Sequence, residues 1–424
     1  MAREIILQKL PVGWSYNLLD NIAERCSGHT PSKSFPEYWN GGIKWISLAD
    51  SCRLDKGYVY ETDKEISLEG IKNSSAEVHP AETVVLSRDA GVGKSGVMAT
   101  PMAVSQHFIA WKCDNKEKLH SWYLYNWLQL NKEEFERQAV GSTIKTIGLP
   151  YFKKLRIAVP PFDEQKKIAQ ILSTWDKAIS VTEKLLTNSQ QQKKALMQQL
   201  LTGKKRLLDE RGVRFSGEWE YTIFGNLGDT YTGLTGKTKE DFGAGKPYIP
   251  YINIFKNSRI DIQNLEYVQV NDDERQSVVK YGDIFFTTSS ETPEEVGMSS
   301  VLLEEVSEVF LNSFCFGFRL NNFETLIPKY ARYLFRSEHV RRQISTLGQG
   351  ATRYNLSKRQ LIKLELKLPC VEEQQKIAAV LSAADAEIST LEKKLACLRD
   401  EKKALMQQLL TGKRRVKVDE AVAE

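Results

Sequence analysis

The stretch KKALMQQLLTGK occurs twice in this chain, at Lys193–Lys204 and again at Lys402–Lys413. The two copies are 209 residues apart and belong to longer segments, 160–207 and 369–416, that are identical at 27 of 48 positions without a gap. A repeat of this quality predicts two copies of one structural element within a single polypeptide.

A weaker repetition extends through the rest of each half. At the same offset Gly141 and Thr143 match Gly350 and Thr352. Each half therefore consists of a variable segment followed by a near-constant one. The sequence predicts four parts, which are a first variable domain at 1–158, a first helical spacer at 159–207, a second variable domain at 208–367, and a second spacer with the C-terminal tail at 368–424.

Each near-constant segment is predicted to form one long helix. Prolines stand at the start of both segments, Asp163 is a candidate N-cap, and Gly203 and Gly412 stand where a helix should end. Mostly apolar side chains recur at alternating steps of four and three residues, which is the heptad spacing of a coiled coil. These seam positions are Ile377, Leu381, Ala384, Ile388, Leu391, Leu395, Leu398, Lys402, Leu405 and Leu409, matched in the first copy by Ile168, Leu172, Trp175, Ile179, Thr182, Leu186, Ser189, Lys193, Leu196 and Leu200.

A single heptad seam fits a helical linker or a homo-oligomer as well as an internal helix pair. Two copies in one chain favour pairing of the two helices with each other. An outer face that contains Gln198 and Gln407 is either a partner-binding surface or a solvated helix face.

The variable segments mix strand and helix patterns. Thr83–Leu86 and Asp283–Phe286 are predicted strands, and Leu119–Gln138 and Leu326–Ile344 are predicted amphipathic helices with aromatic faces. The predicted fold class is therefore α/β or α+β, with two similar globular domains separated by two long helices.

Composition excludes several classes of protein. The 424 residues are 41% hydrophobic and 27% charged, which is ordinary for soluble globular domains. No apolar run is long enough to span a membrane and the N-terminus lacks an apolar export signal, so we expect a cytoplasmic protein. The six cysteines are scattered without a CxxC pair, which argues against a disulfide framework or a zinc site.

Positive charge is concentrated in the second half. Ten lysines and arginines lie between Lys329 and Lys367, opposed only by Glu338 and Glu365. Such a stretch, interleaved with tyrosines, fits contacts to nucleic-acid phosphates, and it also fits a solvated helix face. The net charge of +5 does not decide between these interpretations.

Catalytic motifs are incomplete. GVGKS at 91–95 resembles the end of a phosphate-binding loop, but Arg88 stands where that loop requires its first glycine. VPPF at 159–162 resembles an amino-methyltransferase motif, but valine cannot hold the target amine. No Gly-x-Ser-x-Gly elbow occurs. These motifs therefore argue against nucleotide hydrolysis and methyl transfer by this chain.

These features resemble those of the DNA-specificity subunit of type I restriction–modification systems. The resemblance rests on GSTIKTIGLPYFKKLRIAVPPFDEQKKIAQIL at 141–172, on GATRYNLSKRQLIKLELKLPCVEEQQKIAAVL at 350–381, and on the two KALMQQLLTGK helix ends. Tryptophans near the start of each half, Trp14 and Trp219, match as well.

The resemblance implies that each variable domain is a target recognition domain that reads one half of a bipartite, gapped site in double-stranded DNA. It implies an antiparallel helix pair that holds the domains apart and docks two methyltransferase subunits. Those partners would bind S-adenosylmethionine and methylate adenine, and restriction subunits using ATP and Mg²⁺ would join the assembly. The chain itself would hold no cofactor and no metal.

Two alternatives remain at this point. One is a coiled-coil adaptor that joins two protein-binding domains, and the other is a fused nuclease or methyltransferase. The incomplete catalytic motifs count against the second, and salt-sensitive binding to duplex DNA would distinguish the specificity subunit from the adaptor.

The glycine turns and the repeat indicate candidate contact residues. We expect base or phosphate contacts near Gly91, Gly141 and Gly350. The DNA-binding candidates are Arg88, Lys94, Ser95, Thr143 and Lys145 in the first domain, and Lys256, Arg259, Thr352, Arg353 and Tyr354 in the second. The candidate methyltransferase interface flanks the seam at the repeated helix ends and comprises Met197, Gln198, Leu201, Met406, Gln407 and Leu410.

Overall fold

The computed structural model describes residues 10–113 and 117–418. Contacts divide the chain into two compact units. The first unit runs up to Glu183 and also contains the chain from Lys393 onward, and the second unit is Lys184–Glu392. Both predicted spacers are thus shared between the units, because each unit contains part of both long helices.

The described residues of the first unit form three sheets. Its strands are β1 (Ser15–Leu18), β2 (Glu24–Ser27), β3 (Trp39–Ile46), β4 (Tyr58–Val59), β5 (Lys64–Ile66), β6 (Val84–Ser87), β7 (Ser95–Met98), β8 (Ala103–Val104), β9 (Phe108–Lys112) and β10 (Arg156–Val159). The main sheet has the order β2-β9-β6-β7-β4, and the others are β5-β3-β8 and β1-β10. The helices are α1 (Leu68–Lys72), α2 (Ser121–Leu130), α3 (Lys132–Gln138), α4 (Leu149–Phe152) and the long α5 (Phe162–Leu200), which continues into the second unit.

The second unit repeats this plan with modifications. Its strands are β11 (Glu220–Ile223), β12 (Gly228–Thr232), β13 (Phe242–Ile249), β14 (Glu266–Val268), β15 (Ile284–Thr287), β16 (Ser289–Ser290), β17 (Ser299–Val301), β18 (Phe310–Leu311), β19 (Cys315–Leu320), β20 (Tyr354–Asn355) and β21 (Glu365–Leu368). They form sheets in the orders β12-β19-β15-β17, β14-β13-β18, β16-β20 and β11-β21. The helices are α6 (Tyr251–Lys256), α7 (Pro328–Leu334), α8 (Glu338–Thr346), α9 (Lys358–Leu361) and the long α10 (Val371–Leu409), which continues into the first unit.

Mixed strands and helices confirm the predicted fold class. The strands expected at Thr83–Leu86 and Asp283–Phe286 are β6 and β15, each displaced by one residue. Both strands are buried along their whole length, which explains their continuous apolar sequence.

The two predicted amphipathic helices are each broken in two, so the prediction of continuous helices is wrong. Asn131 separates α2 from α3, and its side-chain amide donates to the Trp127 carbonyl at 2.7 Å. Ser337 separates α7 from α8 and its hydroxyl accepts the Val340 amide at 3.4 Å. Short polar side chains that bond the backbone favour such breaks, and the apolar periodicity runs through them.

The heptad seam is confirmed, since all twenty seam positions are buried or half-buried. Within the first unit Lys402 Nζ lies 2.5 Å from Asp176 Oδ1, and Arg399 Nη2 lies 2.6 Å from Glu183 Oε1. The residue number falls on one helix as it rises on the other, so α5 and α10 run antiparallel there. In the second unit the Ser189 hydroxyl donates to Glu387 Oε1 at 3.1 Å and Lys193 Nζ lies 2.5 Å from Asp385 Oδ1, so the helices run antiparallel there as well.

The ends of the long helices belong to the cores of the units. In the first unit Ile168 and Leu172 of α5 and Leu409 of α10 pack in one cluster with the variable domain. Leu200 of α5 and Ile377 of α10 do the same in the second unit. The glycines after the helices, Gly203 and Gly412, have φ of 71° and 73°, as expected for helix ends.

The predicted N-cap is wrong, because α5 begins at Phe162 and Asp163 therefore lies inside its first turn. Among residues 10–113 and 117–418, no helix combines the length and the apolar character that a membrane crossing requires.

Candidate nucleic-acid interface

Two equivalent loops follow the aromatic helices of the two units. Loop 141–145 is closed by paired backbone hydrogen bonds between Val140 and Thr146, and loop 350–354 by the same pairing of Gln349 and Asn355. Gly141 and Gly350 share a φ of 132°. A Cβ atom at these glycines would lie 2.3 Å from the Ile144 carbonyl oxygen and 2.0 Å from the Arg353 carbonyl oxygen, respectively. Both loops therefore require glycine at the first position.

The side chains on these loops differ between the units while the backbone plan is shared. Thr143 and Lys145 are exposed in the first loop, and Thr352 and Arg353 are exposed in the second. Tyr354 is half-buried because it belongs to β20, which pairs with β16. The predicted residues of both loops thus lie on matched segments and are exposed except for Tyr354.

The glycine turn after β6 lies next to the first loop. The Ile147 amide donates to the Arg88 carbonyl at 2.9 Å, and Asp89 forms a backbone bridge with Thr146. The structure therefore brings the Arg88 segment together with the loop that carries Lys145. The Arg88 side chain is only 20% exposed and its Nε lies 3.8 Å from Asp89 Oδ1.

Two predicted residues of this turn have partners within the unit. Lys94 Nζ donates to the Ser51 hydroxyl at 2.9 Å. Ser95 is fully buried in β7, where its hydroxyl accepts from Gln129 Nε2 at 2.8 Å. The prediction of a DNA contact for Ser95 is therefore wrong, since a buried and hydrogen-bonded hydroxyl cannot reach a ligand.

Lys256 and Arg259 line a shallow depression in the second unit, whereas Arg353 lines a separate cavity beside Tyr251 and Phe314. Lys256 is exposed at the end of α6, and Arg259 pairs with Glu304. The second unit thus presents these three cations at two depressions, one lined by Lys256 and Arg259 and the other by Arg353.

The interpretation of Lys329–Lys367 as one phosphate-binding stretch is wrong for three of its arginines. Arg336 donates to the Ser299 carbonyl at 2.6 Å and Arg341 to the Gly297 carbonyl at 2.6 Å. Burial lowers the pKa of both guanidinium groups to about 10. Arg332 binds Asp385 at 2.7 Å. The cations of this stretch that remain exposed are Lys329, Arg342, Arg353, Arg359, Lys363 and Lys367.

Three residues of the predicted partner interface are buried, so the prediction is wrong for them. Leu201 belongs to the core of the second unit, and Met406 and Leu410 belong to the core of the first. The heptad spacing assigns these three residues to the outer face of the helix pair, where they were expected to be exposed. Each of them is covered by a variable domain. Gln198 and Gln407 are exposed and Met197 is half-buried.

Two equivalent buried glutamines in the repeat were not predicted from the sequence to have a structural role. Gln165 Nε2 donates to the Lys118 and Pro160 carbonyls at 2.9 and 3.0 Å, and its Oε1 accepts the His120 amide at 2.8 Å. Gln374 makes the same three contacts in the second unit. The exact repetition of Glu-Gln at the start of both helices is the sequence feature that indicates this shared role.

Comparison with known proteins adds to this geometry. Residues 11–188 and 217–398 match the family model described as "Type I restriction modification DNA specificity domain". The type I restriction enzyme MjaVIII specificity subunit of Methanocaldococcus jannaschii is 25% identical over 390 residues, which cover 85% of this chain and 87% of that protein. The EcoKI specificity subunit of Escherichia coli K12 is 22% identical over 410 residues, which cover 91% of this chain and 85% of that protein.

Solved structures share the fold. The S subunit of a type I restriction-modification system from M. genitalium superimposes with a TM-score of 0.56 at 15% identity and covers 95% of this chain and 96% of its own. A second solved structure is described as "Structural basis underlying complex assembly and conformational transition of the type I R-M system", and one of its chains superimposes with a TM-score of 0.58 at 16% identity. The match covers 96% of this chain and 100% of that chain.

Proposed function

Because the chain belongs to the type I restriction-modification DNA specificity family, we propose that it reads a bipartite, gapped sequence in double-stranded DNA. The recognition domains are 1–158 and 208–367, and each binds one half-site. The helical segments 159–207 and 368–424 carry the domains. The chain selects the site and catalyses no step itself.

The matched loops carry this proposal. Gly141 and Gly350 give the two loops one backbone geometry, while Lys145 and Arg353 give them different exposed chemistry. Two domains that recognise unlike half-sites require loops in equivalent places with different side chains. Cationic and hydroxyl side chains on such loops suit phosphate and base-edge contacts.

The duplicated helix ends support docking of two methyltransferase subunits. Gln198 and Gln407 occupy the same place in the repeat and are both exposed. Two copies of one surface suit two copies of one partner. In this proposal the partners hold S-adenosylmethionine and methylate adenine, and restriction subunits that use ATP and Mg²⁺ join the cytoplasmic assembly.

A map of methylated adenines tests the reading of DNA. Cells that express the chain with its methyltransferase should show one motif with two unlike halves and an unspecified gap. A single ungapped motif contradicts the proposal, and an absence of salt-sensitive DNA binding favours the adaptor instead.

A loop variant sharpens that test. Gly350→Ala should relax or abolish reading of one half-site and preserve the other, because the new Cβ would collide with the Arg353 carbonyl. Gly217→Ala is the matched control, since a Cβ there meets no atom within 4 Å. Equal effects of both variants would remove the loop from the interface.

Docking has its own experiment. The double variant Gln198→Ala and Gln407→Ala should weaken co-purification with the methyltransferase by about fivefold or more, as an interface anchor typically contributes. Gln192→Ala is the control, because Gln192 is exposed and lies just before the KKALMQQLLTGK stretch, where the second copy has Glu401 instead. Unchanged assembly would exclude the two glutamines from the docking surface.

A further inference from the structure

A buried histidine in the first unit lacks a hydrogen-bonding partner. His79 is 0% exposed, and neither of its ring nitrogens meets a donor or acceptor within the described residues. Buried imidazoles are ordinarily hydrogen-bonded, because an unpaired polar group in the interior costs free energy. The ring is therefore suited to a ligand that the chain itself does not supply.

Two further side chains with metal-ligand atoms lie near this histidine. One ligand atom each of Cys26, Glu77 and His79 lies within 4.8 Å of the other two. Cys26 is buried in β2. Glu77 and His79 are two residues apart, and Glu77 is exposed to solvent. The cluster thus has a buried side and a side open to water.

Strand register identifies the equivalent positions in the second unit. Glu24 faces Lys112 across β2 and β9, and Asp229 faces Arg319 across β12 and β19. In this register Cys26 corresponds to Tyr231, which faces Gly317 as Cys26 faces Ala110.

The same comparison places the histidine. His79 lies five residues before the start of β6 and its amide donates to the Met102 carbonyl at 2.8 Å. Val279 lies five residues before the start of β15 and its amide donates to the Val309 carbonyl at 2.9 Å. Thr83 and Asp283 correspond in the same way.

The second unit satisfies its polar groups at these positions internally. The Tyr231 hydroxyl donates to Asp283 Oδ2 at 2.5 Å, and Arg319 binds the same carboxylate at 2.9 and 2.7 Å. Among the described residues of the first unit, the His79 ring nitrogens and the Thr83 hydroxyl have no hydrogen-bonding partner, although Lys112 pairs with Glu24 on the neighbouring strands. The two units therefore differ here: the second has a closed network around Asp283, and the first has an unpartnered buried imidazole.

We propose that Cys26, Glu77 and His79 bind a zinc ion, with water as the fourth ligand. A thiolate, an imidazole and a carboxylate are all donors that Zn²⁺ accepts in tetrahedral sites. Binding replaces the thiol proton of Cys26, which passes to solvent on the Glu77 side. The neighbouring Lys112 is paired with Glu24 at 3.0 Å, which offsets its charge. The ion would tie β2 to the segment that precedes β6.

This site was not visible in the spacing of the cysteines. Cys26 and His79 are 53 residues apart, and they come together through the pairing of β2 with β9 in the main sheet and the backbone bridge of His79 with Met102. The sequence expectation against zinc rested on the absence of a CxxC pair, which a three-ligand site with one cysteine does not need.

Metal content of the full-length chain tests the proposal. Protein that has been dialysed against a zinc solution and then against buffer without zinc should retain about one zinc ion per chain. His79→Ala and Cys26→Ser should lower the zinc affinity at least tenfold, and the exposed Cys52→Ser is the control. Cobalt(II) in place of zinc should show thiolate-to-metal charge-transfer absorption in the wild type and none in Cys26→Ser.

Stability supplies a second measurement. A chelator should lower the Tm of the wild type and leave that of His79→Ala unchanged, because a metal bound only to the native state stabilises it. If His79→Ala does not fold, Glu77→Gln on the exposed side must still lower zinc affinity. Equal zinc affinity in Glu77→Gln, or wild-type cobalt absorption in Cys26→Ser, overturns the proposal.

Discussion

The guanidinium of Arg206 binds the carboxylate of Glu373 through two hydrogen bonds, Nε to Oε1 at 2.6 Å and Nη2 to Oε2 at 2.7 Å. Glu373 is fully buried at the start of α10, whereas Arg206 follows the end of α5. Arg415 and Glu164 repeat the pair in the first unit at 2.7 Å for both bonds. Each pair thus fixes the end of one long helix to the start of the other.

We expect Arg206→Ala to destabilise the second unit by about 3 kcal/mol. The variant leaves the Glu373 carboxylate buried, and among the described residues the Trp219 indole N–H, at 3.2 Å, is then its one remaining side-chain donor. An uncompensated buried charge of this kind typically costs about 3–5 kcal/mol. The urea midpoint of unfolding, followed by circular dichroism, measures the loss.

The neighbouring Lys205→Ala is the control, because Lys205 is exposed. Adding Glu373→Gln to Arg206→Ala should recover part of the stability, since it removes the unpaired charge. Equal midpoints for Arg206→Ala and Lys205→Ala would show that the pair contributes little.

Leu201→Ala should reduce stability and leave the partner surface intact. Leu201 is 3% exposed within the core of the second unit, and removing a buried leucine side chain typically costs about 2–5 kcal/mol. Leu208→Ala is the matched control, because that side chain is 53% exposed. A wild-type urea midpoint combined with lost methyltransferase binding would return Leu201 to the interface.

The helices were predictable because their signals are local. The heptad step of Ile377, Leu381 and Leu395 appears directly in the sequence, and the burial of all seam positions follows from it. The ends of the helices were harder, since Leu201 and Leu410 are buried by the variable domains rather than by the helix pair. No local period reports a contact with a distant domain.

The site was predictable only in part, for the same reason. Gly141 and Gly350 indicate their loops because no other residue fits the backbone. Charge alone misled: Arg336 and Arg341 look like free cations in the sequence, yet they bind backbone carbonyls of segments more than 35 residues away. Which arginines remain exposed depends on tertiary packing.

Arg353→Ala should weaken DNA binding and flatten its salt dependence. Losing one phosphate contact lowers the slope of log K against log salt concentration by about one. Fluorescence anisotropy with the methyltransferase complex and the mapped target, at several salt concentrations, measures the slope. Arg211→Ala is the control, since Arg211 is 88% exposed and lies outside the loop. An unchanged slope in Arg353→Ala would exclude a phosphate contact for this residue.

Paired insertion of one heptad should lengthen the gap in the target. The seven residues would enter α5 between Glu183 and Lys184 and α10 between Glu392 and Lys393, where the contacts divide the chain. Seven residues add about 10 Å of helix, and a whole heptad preserves the phase of the seam. Ten ångströms correspond to about three base pairs of duplex rise. The map of methylated adenines should therefore show the same two half-sites separated by about three more base pairs.

Insertion into α5 alone is the control for this experiment. It leaves seven residues without seam partners on α10, so the chain should lose stability and target methylation together rather than read a longer gap. If the paired insertion methylates the original sequence with its original gap, then the long helices do not set the spacing of the half-sites. The spacing would in that case have to come from the methyltransferase subunits, to which the two recognition domains would be individually attached.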